Sequence, residues 1–338
     1  MKLFSLRLAD LSPPRPNWRW RGSVAALAAL MSCMNFETQQ RKWIFQAGLP
    51  NDSASTQESS LGLKERWVEF DSTETGSPVK LHALWLAQAR ADAPVLLYLH
   101  GARWDLRGST QRMERLHELG FAVLGIDYRG FGRSTAALPS ERMVCEDARA
   151  AWQWLAQRFP DAQRYVYGHS LGGAIAVQLA TEVADAAGLI IEGTFTSIPD
   201  LYAGMKWGWL PIEPWITQRF DSAQRVAQVQ VPLLVVHGSA DELIHPDHGR
   251  TLFERATARK RFLLIEGDVD SASDGFENNE RLFLPATSFN RFAVTREIND
   301  GTLAPRFAPS QRAWVLTGSL KSVNPPVPAS TGRDSDDR

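Results

Sequence analysis

The chain has 338 residues, with 37 Lys and Arg against 38 Asp and Glu, a formal net charge of −1. That balance excludes nucleic-acid binding as its main function, and 44% hydrophobic with 22% charged residues supports one sizeable core. Two cysteines, Cys33 and Cys145, are too distant for a metal-binding spacing and too few for a disulfide framework.

At the N-terminus Arg19 and Arg21 precede a short apolar run, Val24 to Met31, closed by Ser32 and Cys33. This is the layout of a secretory signal and is too short to span a bilayer as a helix. Leu30-Met31-Ser32-Cys33 resembles a bacterial lipobox. On that reading 1–33 is a signal segment, Cys33 carries a lipid, and the protein attaches to a membrane of the bacterial cell envelope. The alternative is an Ala-rich helix with a buried Cys33 in a cytoplasmic protein. Residues 34–63 read as a linker, since 51–60 are polar and read as a loop.

Trp67–Phe70 and Val79–Leu86, separated by Gly76-Ser77-Pro78, predict an antiparallel strand pair at a sheet edge. Pro94–Leu99 is a continuous apolar run, as expected of a strand buried on both faces. A helix over Gln111–Leu119 stops at Gly120, and Phe121–Asp127 forms the next strand. Ser140 caps a helix running to Phe159, with Pro160 beyond it. Arg164–Tyr167 is a short strand and Ala174–Ala180 a helix. Leu189–Ile191, Leu233–Val236 and Arg261–Ile265 are further strands, and Pro246–Ala258 a helix. Strands alternating with helices imply a mostly parallel sheet with helices on both faces, whose ligand lies at the carboxyl ends of the strands.

Four motifs fall at such ends. Gly168-His169-Ser170-Leu171-Gly172 joins a strand to a helix, the context a G-x-S-x-G nucleophile elbow requires. There Ser170 is exposed as a nucleophile above the helix N-terminus. His100-Gly101-Ala102-Arg103 ends a buried strand. The N–H groups of Ala102 and Leu171 form a candidate oxyanion pair. Asp127-Tyr128-Arg129-Gly130-Phe131-Gly132-Arg133 reads as scaffold, with Arg129 and Arg133 paired to acids. His237-Gly238-Ser239-Ala240-Asp241 supplies Asp241, suited to orient an imidazole.

Together these motifs resemble the α/β-hydrolase superfamily, in its serine aminopeptidase-like (S33-type) and depalmitoylase-related branch. The likeness covers about 64–267. It implies an α/β fold with an eight-stranded, mostly parallel sheet and a small helical cap at about 194–225. It also implies a Ser–His–Asp triad that hydrolyses esters, thioesters or small amides of a small-molecule or acyl substrate, with no cofactor and no metal. Trp207 and Trp209 in the apolar cap are candidate substrate contacts.

One element is missing. The family places its histidine just after the strand 261–265, where this chain reads Glu266-Gly267-Asp268-Val269-Asp270, and no histidine follows His248. A serine without a base is a poor nucleophile. His245 and His248, just past Asp241, are the candidate stand-ins. Residues 268–338 lack the amphipathic helix expected to close the fold and have a disordered composition, in keeping with loss of the natural reading frame near Gly267. Two function classes follow: an impaired serine hydrolase, or an inactive relative acting as a membrane-tethered binding protein.

Overall fold

Strand pairing in the computed structural model, which describes residues 36–47, 62–206 and 208–265, builds one eight-stranded sheet. Its strands are β1 (Lys64–Asp71), β2 (Pro78–Leu86), β3 (Val95–Leu99), β4 (Ala122–Ile126), β5 (Arg164–His169), β6 (Ala186–Glu192), β7 (Leu233–Gly238) and β8 (Lys260–Ile265). They lie in the order β1-β2-β4-β3-β5-β6-β7-β8. β2 runs antiparallel to both β1 and β4, and every other pairing is parallel. The sheet is thus mixed at one edge and parallel through its centre, as its sequence predicts.

Every residue of β3, β4, β5 and β7 is buried, because helices cover both faces. Alternation along β3 divides its side chains between two cores. Val95, Leu97 and Leu99 face the helices α3 (Glu141–Arg158) and α4 (Leu171–Glu182), where Val144, Ala148 and Ile175 are buried. Leu96 and Tyr98 face α2 (Thr110–Glu118), packing with Met113 and Leu116. Ser140 caps α3 as expected, its hydroxyl accepting from the Met143 N–H at 3.3 Å. α7 (Pro246–Arg255) completes the described helices that pack on the sheet.

The linker reading of 34–63 needs correcting. Residues 36–45 form a helix, α1, whose end is in the core: Ile44 and Phe45 are buried, and Phe45 meets Phe220 edge-to-face with centroids 6.0 Å apart. Gln40 and Arg41 tie it to the body, Gln40 Nε2 donating to Trp215 O at 2.7 Å and Arg41 Nε to Pro139 O at 2.8 Å. The apolar pair that anchors this helix is too short a signal beside its polar flank.

The cap between β6 and β7 contains α5 (Ile198–Ala203), a 3₁₀ turn at Glu213–Trp215 and α6 (Ser222–Arg225). Cys33, Trp207 and residues 266–338 lie outside the described residues.

Candidate active site

β5 ends at His169, α4 begins at Leu171, and Ser170 between them has φ 53° and ψ −121°. A side chain in the positive-φ region is strained and persists only where its surroundings enforce it. Here the Ser170 N–H is fixed to the Glu192 carbonyl at 2.9 Å, and the Ser170 carbonyl accepts from Gly173 N at 2.9 Å. The serine remains half-buried rather than sealed in. As the first residue of α4, Leu171 carries an N–H with no intrahelical acceptor.

The loop after β3 comes against this elbow. A Cβ on Gly101 would sit 3.2 Å from Ser170 Cβ, a contact tight enough that a larger residue there would push on the serine. His100 Nδ1 donates to the Gly101 carbonyl at 2.7 Å, and burial pushes the His100 pKa down, keeping the ring neutral. Arg103 has φ 74°, and its N–H is held by Phe45 O at 3.0 Å. The end of α1 therefore shapes the turn that carries Ala102, a contribution the sequence did not reveal. Packing beneath the elbow is equally tight: a Cβ on Gly172 would collide with the carbonyl oxygens of Leu99 and His100. Gly172→Ala is expected to cost about 1–3 kcal/mol through overpacking, seen as a lowered melting temperature with unchanged secondary structure by circular dichroism.

Asp241 follows β7 and is 2% exposed. Its Oδ1 accepts from Leu243 N at 3.1 Å and Ile244 N at 2.8 Å. Among the described residues its Oδ2 accepts no hydrogen bond. His237 Nε2 is 3.5 Å from Oδ2 but gives its proton to the Ile244 carbonyl at 2.6 Å. Oδ2 lies beside Gly193, where a Cβ would be 3.8 Å away. Gly193 directly follows Glu192, whose carbonyl holds Ser170. The end of β6 thus lies between nucleophile elbow and acid, and a buried carboxylate oxygen is left with its acceptor capacity unused. Leaving such a group unpaired is costly, so this oxygen is a candidate acceptor for a donor from outside the described residues.

Neither stand-in histidine engages Ser170 or Asp241 by a hydrogen bond among the described residues. His245 is exposed and pairs with Asp247 at 3.0 Å. His248 Nδ1 lies 2.8 Å from Thr196 Oγ1, and burial lowers its pKa. The two share a cleft of about 420 Å³ with Thr196, Asp200 and Arg255. His169 is buried, and desolvation holds its pKa well below the ordinary value.

The scaffold loop behaves as its sequence predicts. Arg129 pairs with Asp147 at 2.7 Å and Glu146 at 2.5 Å, and Arg133 pairs with Glu65. Asp127 is more than a loop residue. It accepts from Leu106 N at 2.7 Å and from His82 Nδ1 at 2.8 Å, which ties β2 to the scaffold loop. Trp209, expected to touch substrate, stands 72% exposed on the cap. No described group of three or more His, Cys, Asp or Glu is arranged to hold a metal ion.

The family model described as serine aminopeptidase, S33, matches residues 90–224. The uncharacterized protein Rv2307c of Mycobacterium tuberculosis is 32% identical over 257 residues, covering 72% of this chain and 85% of the relative. The lysophosphatidylserine lipase ABHD12 of Danio rerio is 32% identical over 186 residues, and the match spans 49% of this chain and 48% of the lipase. The chain therefore spans about half the length of that lipase. Among solved structures, the Pyrococcus furiosus esterase Pf2001 superposes with a TM-score of 0.55 at 17% identity, covering 71% of this chain and 93% of the esterase. At that identity the likeness concerns the fold alone.

Proposed function

Since the chain belongs to the α/β-hydrolase superfamily and is a hydrolase of the esterase and lipase type, we propose that Ser170 is its nucleophile and a carboxylic ester of an acylated lipid its substrate. The observation that carries this reading is the backbone of Ser170, held at positive φ where a strand meets a helix, with Gly101 against its side chain.

In this reading Ser170 Oγ attacks the acyl carbonyl carbon, and the oxygen that gains charge sits between the N–H groups of Leu171 and Ala102. Fixed donors of this kind act where charge develops in the transition state. The proton leaving Ser170 needs an acceptor, which Asp241 Oδ2 would support through an imidazole N–H. With no histidine after His248, that acceptor is absent from its usual place and acylation is slow. The lipase name of the ABHD12 relative supports a lysophospholipid-like ester over an amide. Thioesters share the same carbonyl chemistry.

The second reading, a binding protein without turnover, is favoured by the same missing histidine. A fluorophosphonate probe separates the two, because it reacts with the serine itself and requires less of the base than turnover does. Labelling of the native chain, and none of Ser170→Ala, is the expected outcome. Equal labelling of both proteins would remove Ser170 from the mechanism.

A further inference from the structure

Five of the six large apolar side chains that stand exposed among the described residues belong to α1 and the cap, the sixth being Leu243. Phe36 and Trp43 on α1 are 37% and 46% exposed, and Trp209, Leu210 and Trp215 in the cap are 72%, 37% and 56% exposed. Two hydrogen bonds bring the groups together. Gln40 Nε2 donates to Trp215 O at 2.7 Å, and Thr217 N donates to Gln40 Oε1 at 3.0 Å. Phe36, Gln40 and Trp43 are spaced i, i+4, i+7, so the two rings flank, on one stripe of α1, the residue bonded to Trp215. Leu210 belongs to the same folded turn, its carbonyl accepting from Ile212 N at 2.8 Å, while Ile212 O accepts from Trp215 N at 2.9 Å.

The sequence leading into this face indicates what meets it. The apolar run Val24–Met31 ends five residues before Phe36, with Arg19 and Arg21 ahead of it. Five residues reach at most about 18 Å, so the sequence end of the run lies no further than that from Phe36. A run this short cannot cross a bilayer, but it suits partial burial at a lipid surface. Trp rings are amphipathic and concentrate at the same headgroup boundary. The other end of α1 holds the oxyanion loop through the Phe45 carbonyl and Arg103 N–H, at 3.0 Å. A helix of about ten residues is only about 15 Å long, which places the face close to the mouth of the site.

We infer that α1 and the cap turn 209–215 form a docking face for a lipid bilayer, seated by Phe36, Trp43, Trp209 and Trp215. This face acts whether or not Ser170 is the nucleophile, so its test uses the catalytically silent Ser170→Ala chain. The full-length protein is mixed with phosphatidylcholine vesicles, with and without one-fifth phosphatidylserine, and sedimented. Vesicles of brominated lipid then report tryptophan quenching. Trp43→Gln/Trp215→Gln is expected to weaken partitioning about tenfold or more and to remove most of the quenching, since each half-exposed ring has about 100 Å² of surface left to bury at the boundary. A double variant that binds phosphatidylserine vesicles as tightly as the native chain does would place the affinity in cationic groups such as Arg19 and Arg21 and overturn the inference. Undiminished binding and quenching in the double variant, with an unchanged melting temperature, overturns the inference. So does a native protein that ignores vesicles but sediments as a dimer, with the variant a monomer, because the face would then cover a second copy.

Discussion

Asp268→His is expected to raise kcat/KM for a p-nitrophenyl acyl ester by about 10²–10⁴-fold, the usual contribution of a positioned general base. The sheet explains why position 268 is the place to put it. Ile265 ends β8 in register with Gly238, and the Ser239 N–H donates to the Ile265 carbonyl at 2.7 Å. The chain therefore leaves the sheet two to three residues before Asp241 on the neighbouring strand. Three further residues span at most about 10 Å, a reach that allows an imidazole at 268 to meet Asp241 Oδ2. That oxygen is buried and accepts no hydrogen bond among the described residues. It would take the Nδ1–H of the new ring, fix its tautomer and direct Nε2 at the serine. Two controls belong with the measurement. Ser170→Ala in the Asp268→His background should lose the whole gain, and Asp241→Asn most of it. A pH profile rising through about 6.5, the ordinary histidine value, would mark the imidazole as the base. A folded, probe-reactive Asp268→His protein that turns over no faster than the native chain would show that Asp241 and Ser170 do not share a proton path.

Much of this architecture is legible in the sequence because its strands are uninterrupted apolar runs, such as Val95–Leu99, and its helices carry stop signals, such as Gly120 and Pro160. The placement of Ser170, Ala102 and Asp241 at strand ends follows from the same runs. What stays hidden is carried by main-chain groups or by distant partners. The Glu192 carbonyl holds Ser170 through its backbone, so no side-chain pattern marks it. α1 is anchored by only two buried apolar residues, Ile44 and Phe45, and its role at Arg103 depends on a partner 58 positions along the chain. Cap aromatics read alike whether they face a pocket or solvent, and the exposure of Trp209 is decided by tertiary packing alone.

The second large effect is expected at Arg129, which is 1% exposed. Its guanidinium donates to Asp147 Oδ1 at 2.7 Å, Glu146 Oε2 at 2.5 Å, Ser72 Oγ at 2.8 Å and the Met143 carbonyl at 2.9 Å. It thereby joins α3 to the turn after β1 and to the loop carrying Tyr128, whose hydroxyl donates to His100 O at 3.1 Å. Arg129→Met leaves the ionised Glu146 beside the buried Asp147 without the guanidinium that offsets their burial, a loss of about 3–5 kcal/mol. For a domain of this size the melting temperature should fall by about 10 °C or more. Arg129→Met/Glu146→Gln/Asp147→Asn should recover much of that loss, because the cost comes from burying acids without their partner and not from the missing contact area. The two acids also titrate in opposite senses. Burial raises the Glu146 pKa, but hydrogen bonds from Ser72, Thr73 and Arg129 outweigh it and bring the value from 4.5 to about 2. Its contribution is present above pH 4.5 and is lost as the pH falls toward 2. Burial of Asp147 prevails over the attraction of Arg129 and lifts its pKa from 3.8 to about 7, so its contribution is present below pH 3.8 and fades as the pH rises through 7. Thermal melts across pH 3–8 should therefore show Asp147→Asn flattening the decline toward neutral pH, with Glu146→Gln flattening the acid limb. A triple variant no more stable than Arg129→Met would mean that the guanidinium contributes through its packing and not through its charge.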